Sequence, residues 1–168
     1  VRLNFQARRV LPSWSLGAIA KSVVRLALRE RFSGVPVIIG ECQSCSLALE
    51  VAQLLARRSG PPSKLVLLDP WQPSRRFSEK PPAGTVHPPA VARYYKLSRR
   101  HVPNAYPGEV HVVCAEAAGR LPGCIEWWSA GLRVSCHGHE VPGDHDSYIR
   151  RHRASLAETL NAICEGAG

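Results

Sequence analysis

The chain has 168 residues, 45% of them hydrophobic, which is enough for one domain with a substantial buried core. The chain has a net charge of +9, and its basic residues are spread widely and are not interleaved with aromatic residues. The sequence therefore predicts a basic surface and no nucleic-acid partner. No apolar run is long enough to span a bilayer and no secretory leader is visible, so we expect no membrane partner either.

The first part of the chain alternates strand and helix patterns. Residues 1–7 have a strand pattern, and apolar residues on one face predict a helix over about 16–31. The run 35–39 has the length and continuous hydrophobicity of a buried parallel strand. A second amphipathic helix follows, and 65–68 is another apolar run of strand length.

The next stretch, 71–107, is rich in prolines and basic residues, which predicts a lid-like insertion with one short helix over 89–99. The remaining elements are expected as strand, helical turn, strand and helix, over 109–114, 121–130, 132–139 and 147–164. Strands that alternate with helices predict an α/β fold, with a mostly parallel sheet flanked by helices, in a single domain.

Six cysteines are scattered along a chain that is too large to need disulfide staples. They are Cys42, Cys45, Cys114, Cys124, Cys136 and Cys164. Most lie in or near apolar strand or helix patterns, as buried free thiols do in a reducing compartment. The pattern therefore predicts a cytoplasmic protein.

The most informative motif is Gly40-Glu41-Cys42-Gln43-Ser44-Cys45, a turn between a predicted strand and a predicted helix. Two mechanisms use a cysteine at such a turn. Cys42 and Cys45 form a C-x-x-C pair, and a helix N-terminus favours the thiolate that a thiol–disulfide oxidoreductase requires. Alternatively, Cys42 stands at a nucleophile elbow, where a hydrolase usually has serine exposed beside backbone N–H groups.

The elbow interpretation accounts for more residues than the redox interpretation does. An elbow nucleophile is followed along the chain by an acid after a later strand and then by a histidine. Asp69 ends the strand after the elbow, and His145 lies in a loop just before the last helix. Glu116, which follows the next strand, is the reserve candidate for the acid. A redox pair would leave Asp69 and His145 without a role.

A structural zinc site is a third possibility, with Cys42, Cys45, Cys136, His137 and His139 as candidate ligands. Such sites usually bring two closely spaced pairs together. The second group lies in a predicted strand, where adjacent side chains point to opposite faces. The sequence therefore disfavours zinc, and we expect no metal.

Several motifs in chain order resemble one known family. They are A-x-E-x-A at Ala48, Glu50 and Ala52, L-L-D at Leu67, Leu68 and Asp69, Trp127-Trp128, V-P-G-D-H at 141–145, and H-x-x-x-L-A at His152, Leu156 and Ala157. Together they resemble the thioesterase domains that release products from nonribosomal peptide and polyketide synthases, which are α/β-hydrolases. Some members of that family have cysteine in place of serine.

The resemblance implies a catalytic triad of Cys42, His145 and Asp69, with the backbone N–H of Gln43 as an oxyanion donor. It implies that Cys42 attacks the thioester of an acyl or peptidyl chain and forms an acyl-enzyme. It also implies no bound cofactor, because the substrate arrives on the phosphopantetheine arm of an acyl or peptidyl carrier protein.

The chain departs from the family pattern in two places. Ser44 and Cys45 replace the glycines that usually follow the nucleophile turn. The family's first strand, and the loop that provides a second oxyanion donor, would precede Val1, so we expect a domain that is incomplete on its N-terminal side. These departures leave an alternative function open, a catalytically impaired remnant that binds a carrier protein or a neighbouring domain.

Overall fold

The computed structural model describes residues 15–29, 36–60, 64–70 and 88–166. The strand expected over 1–7 and part of the lid-like insertion, 71–87, lie outside the described residues. The helices and strands are α1 (Leu16–Arg29), β1 (Val37–Glu41), α2 (Cys45–Ser59), β2 (Lys64–Leu68), α3 (Pro89–Arg99), β3 (Val110–Ala115), α4 (Leu121–Leu132), β4 (Cys136–Val141) and α5 (Arg153–Glu165).

The four described strands form one parallel sheet in the order β1-β2-β3-β4. The register pairs Glu41 with Leu68 and Ala115 with Val141, so the carboxyl ends of the strands lie along one edge. Strands β2 and β3 are buried along their whole length, as their continuous apolar sequences predict. The parallel sheet flanked by helices confirms the α/β fold expected from the sequence.

Helices α2 and α4 cover one face of the sheet. Their apolar residues pack with alternate residues of β2 and β3, and Leu49, Trp128 and Leu132 are almost fully buried there. Helix α1 packs on the outer side of α2 together with Tyr94 of α3. The amphipathic pattern of α1 therefore serves mainly a contact between helices, and Ile38 of β1 also packs against this cluster.

Helix α5 covers the opposite face. Leu156 and Ile163 of α5 pack with Tyr148 and with the other alternate set of β2 and β3 residues. The three layers bury both faces of the central strands β2 and β3, whereas the edge strands β1 and β4 keep exposed residues. Within the described ranges, no helix has the length and hydrophobicity needed to cross a bilayer.

The predicted boundaries of α4 and β4 are wrong. The helical turn expected over 121–130 is the helix α4 of 12 residues, and the strand expected from 132 begins at Cys136. Arg133 ends α4 in the left-handed conformation, with its N–H donating to Ser129 O. Leu132 is therefore a buried helical residue that packs in the core.

The last helix begins at Arg153 and not at 147. The Asp144 side chain accepts hydrogen bonds from the N–H and hydroxyl of Ser147, which stabilise a series of turns before α5. Ile149, which lies in these turns, is 37% exposed. The turns hold the loop of His145 against the sheet edge.

Candidate active site

The candidate site lies at the sheet edge where the parallel strands end. Cys42 directly follows β1, Asp69 directly follows β2, and His145 lies in the loop after β4. Ligand sites of open α/β sheets form at this edge, because the strand-to-helix connections there converge. The three residues, which are far apart along the chain, therefore lie at the same edge of the sheet.

Cys42 occupies a sharp, left-handed turn between β1 and α2, with φ at 49°. The turn brings the strand very close to the helix, and Gly40 makes that approach possible. A Cβ at Gly40 would lie 2.7 Å from Ala48 Cβ and 2.8 Å from Cys45 Cα. The Cys42 side chain remains partly exposed, as a nucleophile at an elbow needs to be.

Ser44 and Cys45 fit the turn without the glycines of the family pattern. Both have right-handed backbone conformations that any L-residue adopts. The Ser44 hydroxyl accepts from Glu41 N–H at 3.0 Å and donates to Glu41 O at 2.5 Å. The buried Cys45 thiol donates to Gly40 O at 3.3 Å and to Leu68 O at 3.7 Å. These side chains strengthen the elbow instead of crowding it.

Asp69 is buried and joined to His145. The aspartate has φ at 41° and is 1% exposed. Its Oδ2 accepts a hydrogen bond from His145 Nδ1, and its Oδ1 accepts one from Ala115 N–H at 3.4 Å. His145 packs against buried Tyr148, with the ring centroids 6.3 Å apart. The imidazole is thus held in one orientation by a carboxylate and an aromatic ring.

The pKa values of this pair shift in opposite directions. Burial alone would raise the pKa of Asp69, but the hydrogen bond from His145 and the charge of Arg120 outweigh it, so the pKa lies below its usual value. The hydrogen bond to Asp69 and a second one to Cys42 raise the pKa of His145 to about 10. At neutral pH, Asp69 is therefore ionised and His145 is protonated.

Cys42 lies close enough to His145 to raise the pKa of the imidazole, through a side-chain hydrogen bond and through its charge. Since Asp69 occupies Nδ1, the imidazole presents Nε2 to the thiol. The side chains thus form a continuous chain from Cys42 through His145 to Asp69. This arrangement allows a proton to pass between sulfur and imidazole while the carboxylate fixes the ring.

Gln43, the expected oxyanion donor, directly follows Cys42 at the amino end of α2. Its carbonyl oxygen accepts a 2.5 Å hydrogen bond from the Ser98 hydroxyl and a 3.4 Å bond from the Tyr94 hydroxyl. Both donors belong to α3. The helix expected within the lid-like insertion is therefore attached to the backbone of the elbow.

The sequence analysis missed Arg120. Its Nη2 forms an ion pair with Asp69 Oδ2, the oxygen that also binds His145. Arg120 precedes α4 and lies far from Asp69 along the chain, in a sequence where basic residues are spread widely. No local motif distinguishes it from the other arginines, so only the folded arrangement reveals it.

Glu116, the reserve acid, does not join the site. It begins the short helical turn Glu116–Ala118 after β3, and its side chain is exposed. The hydrogen bond at His145 Nδ1 is made by Asp69.

The redox and zinc alternatives gain no support from the geometry. Cys42 interacts with His145, whereas the Cys45 thiol binds two backbone carbonyls, and both cysteines are free. Across the described ranges, no group of three or more histidine, cysteine or acidic side chains is arranged to hold a metal ion. His139 instead pairs with His111, whose Nδ1 lies 3.0 Å from His139 Nε2.

A comparison with models of known protein families found no match. Among solved structures, the NocB thioesterase domain in covalent complex with a fluorophosphonate nocardicin G analog has a TM-score of 0.70 at 18% identity, covering 96% of this chain and 79% of that chain. YbtT, a type II thioesterase from the yersiniabactin pathway, has a TM-score of 0.66 at 16% identity, with 96% and 78% covered. The RedJ thioesterase of Streptomyces coelicolor has a TM-score of 0.56 at 19% identity, with 87% and 70% covered.

The chain has the α/β-hydrolase fold of these thioesterase domains. In an α/β-hydrolase, the nucleophile, the acid and the histidine follow one another along the chain after successive strands. Cys42, Asp69 and His145 have this order and meet at one edge of the sheet. The catalytic roles of the three residues stay a prediction.

Proposed function

We propose that the protein is a thioesterase that releases an acyl or peptidyl chain from a carrier-protein thioester through Cys42, His145 and Asp69. The observation that supports this most strongly is the hydrogen-bonded series from Cys42, in its left-handed turn, through His145 to buried Asp69. A nucleophile, a base and an orienting acid are the parts that covalent acyl transfer needs.

In the proposed acylation step, the proton of the Cys42 thiol is held by His145, and the sulfur attacks the thioester carbonyl carbon. The carbonyl oxygen gains the negative charge, and the N–H of Gln43 donates a hydrogen bond to it. When the intermediate collapses, the bond to the pantetheine sulfur breaks and His145 protonates that sulfur. The products are a free carrier thiol and an acyl group on Cys42.

In deacylation, the now neutral imidazole accepts a proton from water, or from a nucleophile within the substrate, as that oxygen or nitrogen attacks the acyl carbon. The acyl–sulfur bond breaks, and Cys42 and His145 return to their starting charges. The chain, the substrate with its pantetheine arm and the attacking water supply every group in this cycle, so the proposed mechanism uses no bound cofactor.

The solved thioesterases lend support of two kinds. The NocB domain forms a covalent complex with a fluorophosphonate analog, which is consistent with a reactive nucleophile on this fold. YbtT belongs to a nonribosomal peptide and polyketide synthase pathway. Substrates in such pathways are held on carrier proteins, so an acyl or peptidyl carrier protein is the proposed partner.

Intact-protein mass spectrometry after incubation with octanoyl-N-acetylcysteamine tests the proposal. We expect one octanoyl adduct that maps to Cys42 and is absent from Cys42→Ala. The matched control is Cys45→Ala, which removes the other thiol of the C-x-x-C pair and should still acquire the adduct. His145→Gln should slow adduct formation strongly.

A folded wild-type protein that acquires no adduct and also leaves the thioester uncleaved would refute the proposed chemistry and favour the carrier-binding remnant. A disulfide between Cys42 and Cys45 that forms and reduces reversibly, without acylation, would instead favour the oxidoreductase. The same mass measurement distinguishes all three, because octanoylation adds mass whereas a disulfide removes two hydrogens.

A further inference from the structure

Arg120 is attached to the acid of the proposed triad. It lies at the N-terminal boundary of α4, where its carbonyl accepts a 2.9 Å hydrogen bond from Cys124 N–H. Its guanidinium Nη2 pairs with Asp69 Oδ2. The Arg120 side chain is 15% exposed and that of Asp69 is 0% exposed, so the pair is largely removed from water.

The same carboxylate oxygen binds two cations. Asp69 Oδ2 accepts from both Arg120 Nη2 and His145 Nδ1, while Oδ1 accepts from Ala115 N–H. A buried carboxylate with a histidine as its only partner would be free to rotate about its Cβ–Cγ bond. Here Arg120 and the β3 backbone hold the two oxygens from different sides, which fixes the carboxylate plane in front of the imidazole.

We propose that Arg120 is a positioning residue of the triad, which holds the Asp69 carboxylate in line with His145 and competes with His145 for the same oxygen. This inference rests on the proposed function of the site. Arg120 acts through Asp69 and is not assigned a contact with substrate.

The competition for Asp69 Oδ2 predicts the direction in which Arg120 affects the protonation of His145. A guanidinium that shares an oxygen with the imidazolium repels it and draws on the same negative charge. Removing the Arg120 charge should therefore favour protonated His145. Among the described residues, the other charged or titratable groups that interact with this centre are Glu41, Cys42, Cys45, Cys114, Cys124 and Tyr148.

The test compares Arg120→Gln and Arg120→Lys with Arg133→Gln. Arg133 lies at the other end of α4 and is exposed, so its variant removes one charge from the same helix away from the triad. The first readout is the NMR titration of the His145 ring in a Cys42→Ala background, with the resonance identified by its loss in His145→Gln. The second is kcat and KM for octanoyl-N-acetylcysteamine in proteins that retain Cys42.

We expect Arg120→Gln to move the His145 titration to higher pH and to lower kcat by roughly tenfold, with KM changed by less than about twofold. Arg120→Lys keeps the charge but loses the planar fork, so it should show smaller changes in the same directions. Arg133→Gln should match the wild type in both readouts.

A folded Arg120→Gln protein with an unshifted His145 titration would overturn the proposal. If Arg120→Gln does not fold, Arg120→Lys decides, and wild-type values for both its titration and its kcat would overturn the proposal. The titration needs no turnover. A wild-type protein without thioesterase activity would therefore refute the proposed function while leaving the coupling of Arg120 to His145 measurable.

Discussion

The Ser98 hydroxyl donates a 2.5 Å hydrogen bond to the main-chain carbonyl of Gln43, the residue that directly follows Cys42. Ser98 is buried near the carboxyl end of α3, in the part of the predicted lid-like insertion that the structure describes. A helix outside the central sheet thus holds the peptide next to the proposed oxyanion donor. The position of α3 and the geometry of the elbow are therefore coupled.

Replacing Ser98 by alanine should lower kcat for thioester cleavage by roughly two- to tenfold, as expected for the loss of one buried hydrogen bond. KM should change less, because the Gln43 N–H next to the affected peptide is proposed to act on the transition state. The matched control is Ser46→Ala, which removes a 3.4 Å hydrogen bond from the Ser46 hydroxyl to Ser98 O, between the same two helices. Equal losses of kcat in both variants would contradict a specific role for the bond to Gln43.

Cys42 should react with iodoacetamide faster than Cys164 at neutral pH, by about tenfold or more, because a protonated histidine stabilises the thiolate beside it. Exposure alone predicts the reverse order, since Cys164 is exposed, Cys42 is partly buried and the other four cysteines are buried. Peptide mapping of a partially alkylated sample measures both rates in one protein. In His145→Gln the preference for Cys42 should disappear, and its persistence would argue against the proposed pair.

His145 should make stability depend on pH in the alkaline range. Its pKa is raised from 6.5 to about 10 in the folded state, so its contribution is fully present below about pH 6.5 and is lost as pH rises through about 10. The difference in free energy of unfolding between the wild type and His145→Gln should therefore be larger at about pH 6 than at about pH 10.5. Urea unfolding of both proteins measures it, and a difference that is the same at both pH values would contradict the raised pKa.

Gly40→Ala should destabilise the fold by about 1–3 kcal/mol, because the added methyl group overlaps α2 at the elbow. Gly17→Ala is the matched control on α1, where the nearest heavy atom, Glu50 Oε2, lies at an ordinary 3.6 Å from the new Cβ. Alanine there should stabilise the protein by up to about 1 kcal/mol through helix propensity. Urea unfolding at neutral pH tests whether the two substitutions change the free energy of unfolding in opposite directions. A Gly40→Ala protein as stable as the wild type would show that the elbow can open.

The sequence was sufficient to predict the main elements that position the site. Continuous apolar runs indicated β1 and β2. Asp69, which follows the second run, lies at the end of β2, and Cys42 lies at the end of β1, which begins and ends two residues later than the run 35–39. The pattern over 89–99 matched the bounds of α3. These predictions succeeded because hydrophobic periodicity and parallel pairing together determine which residues meet at one edge.

Long-range contacts and helix ends were harder to predict. Nothing local distinguishes Arg120 as the partner of Asp69, since an ion pair between distant segments leaves no spacing pattern in the sequence. The end of α4 depended on Arg133 adopting a left-handed conformation that is usually given to glycine or asparagine. The late start of α5 depended on hydrogen bonds between Asp144 and Ser147, which compete with helix formation.

Cys42 and Asp69 both have left-handed backbone conformations, with φ at 49° and 41°. A non-glycine residue in this region costs on the order of 1 kcal/mol or more, and glycine or asparagine reduces that cost. At Asp69 the ion pair with Arg120 and the hydrogen bond from His145 offset this cost, whereas at Cys42 selection for stability and selection for chemistry favour different residues. In a mutant library screened only for heat resistance, glycine at 42 would accumulate, and the most stable survivors would have lost the nucleophile.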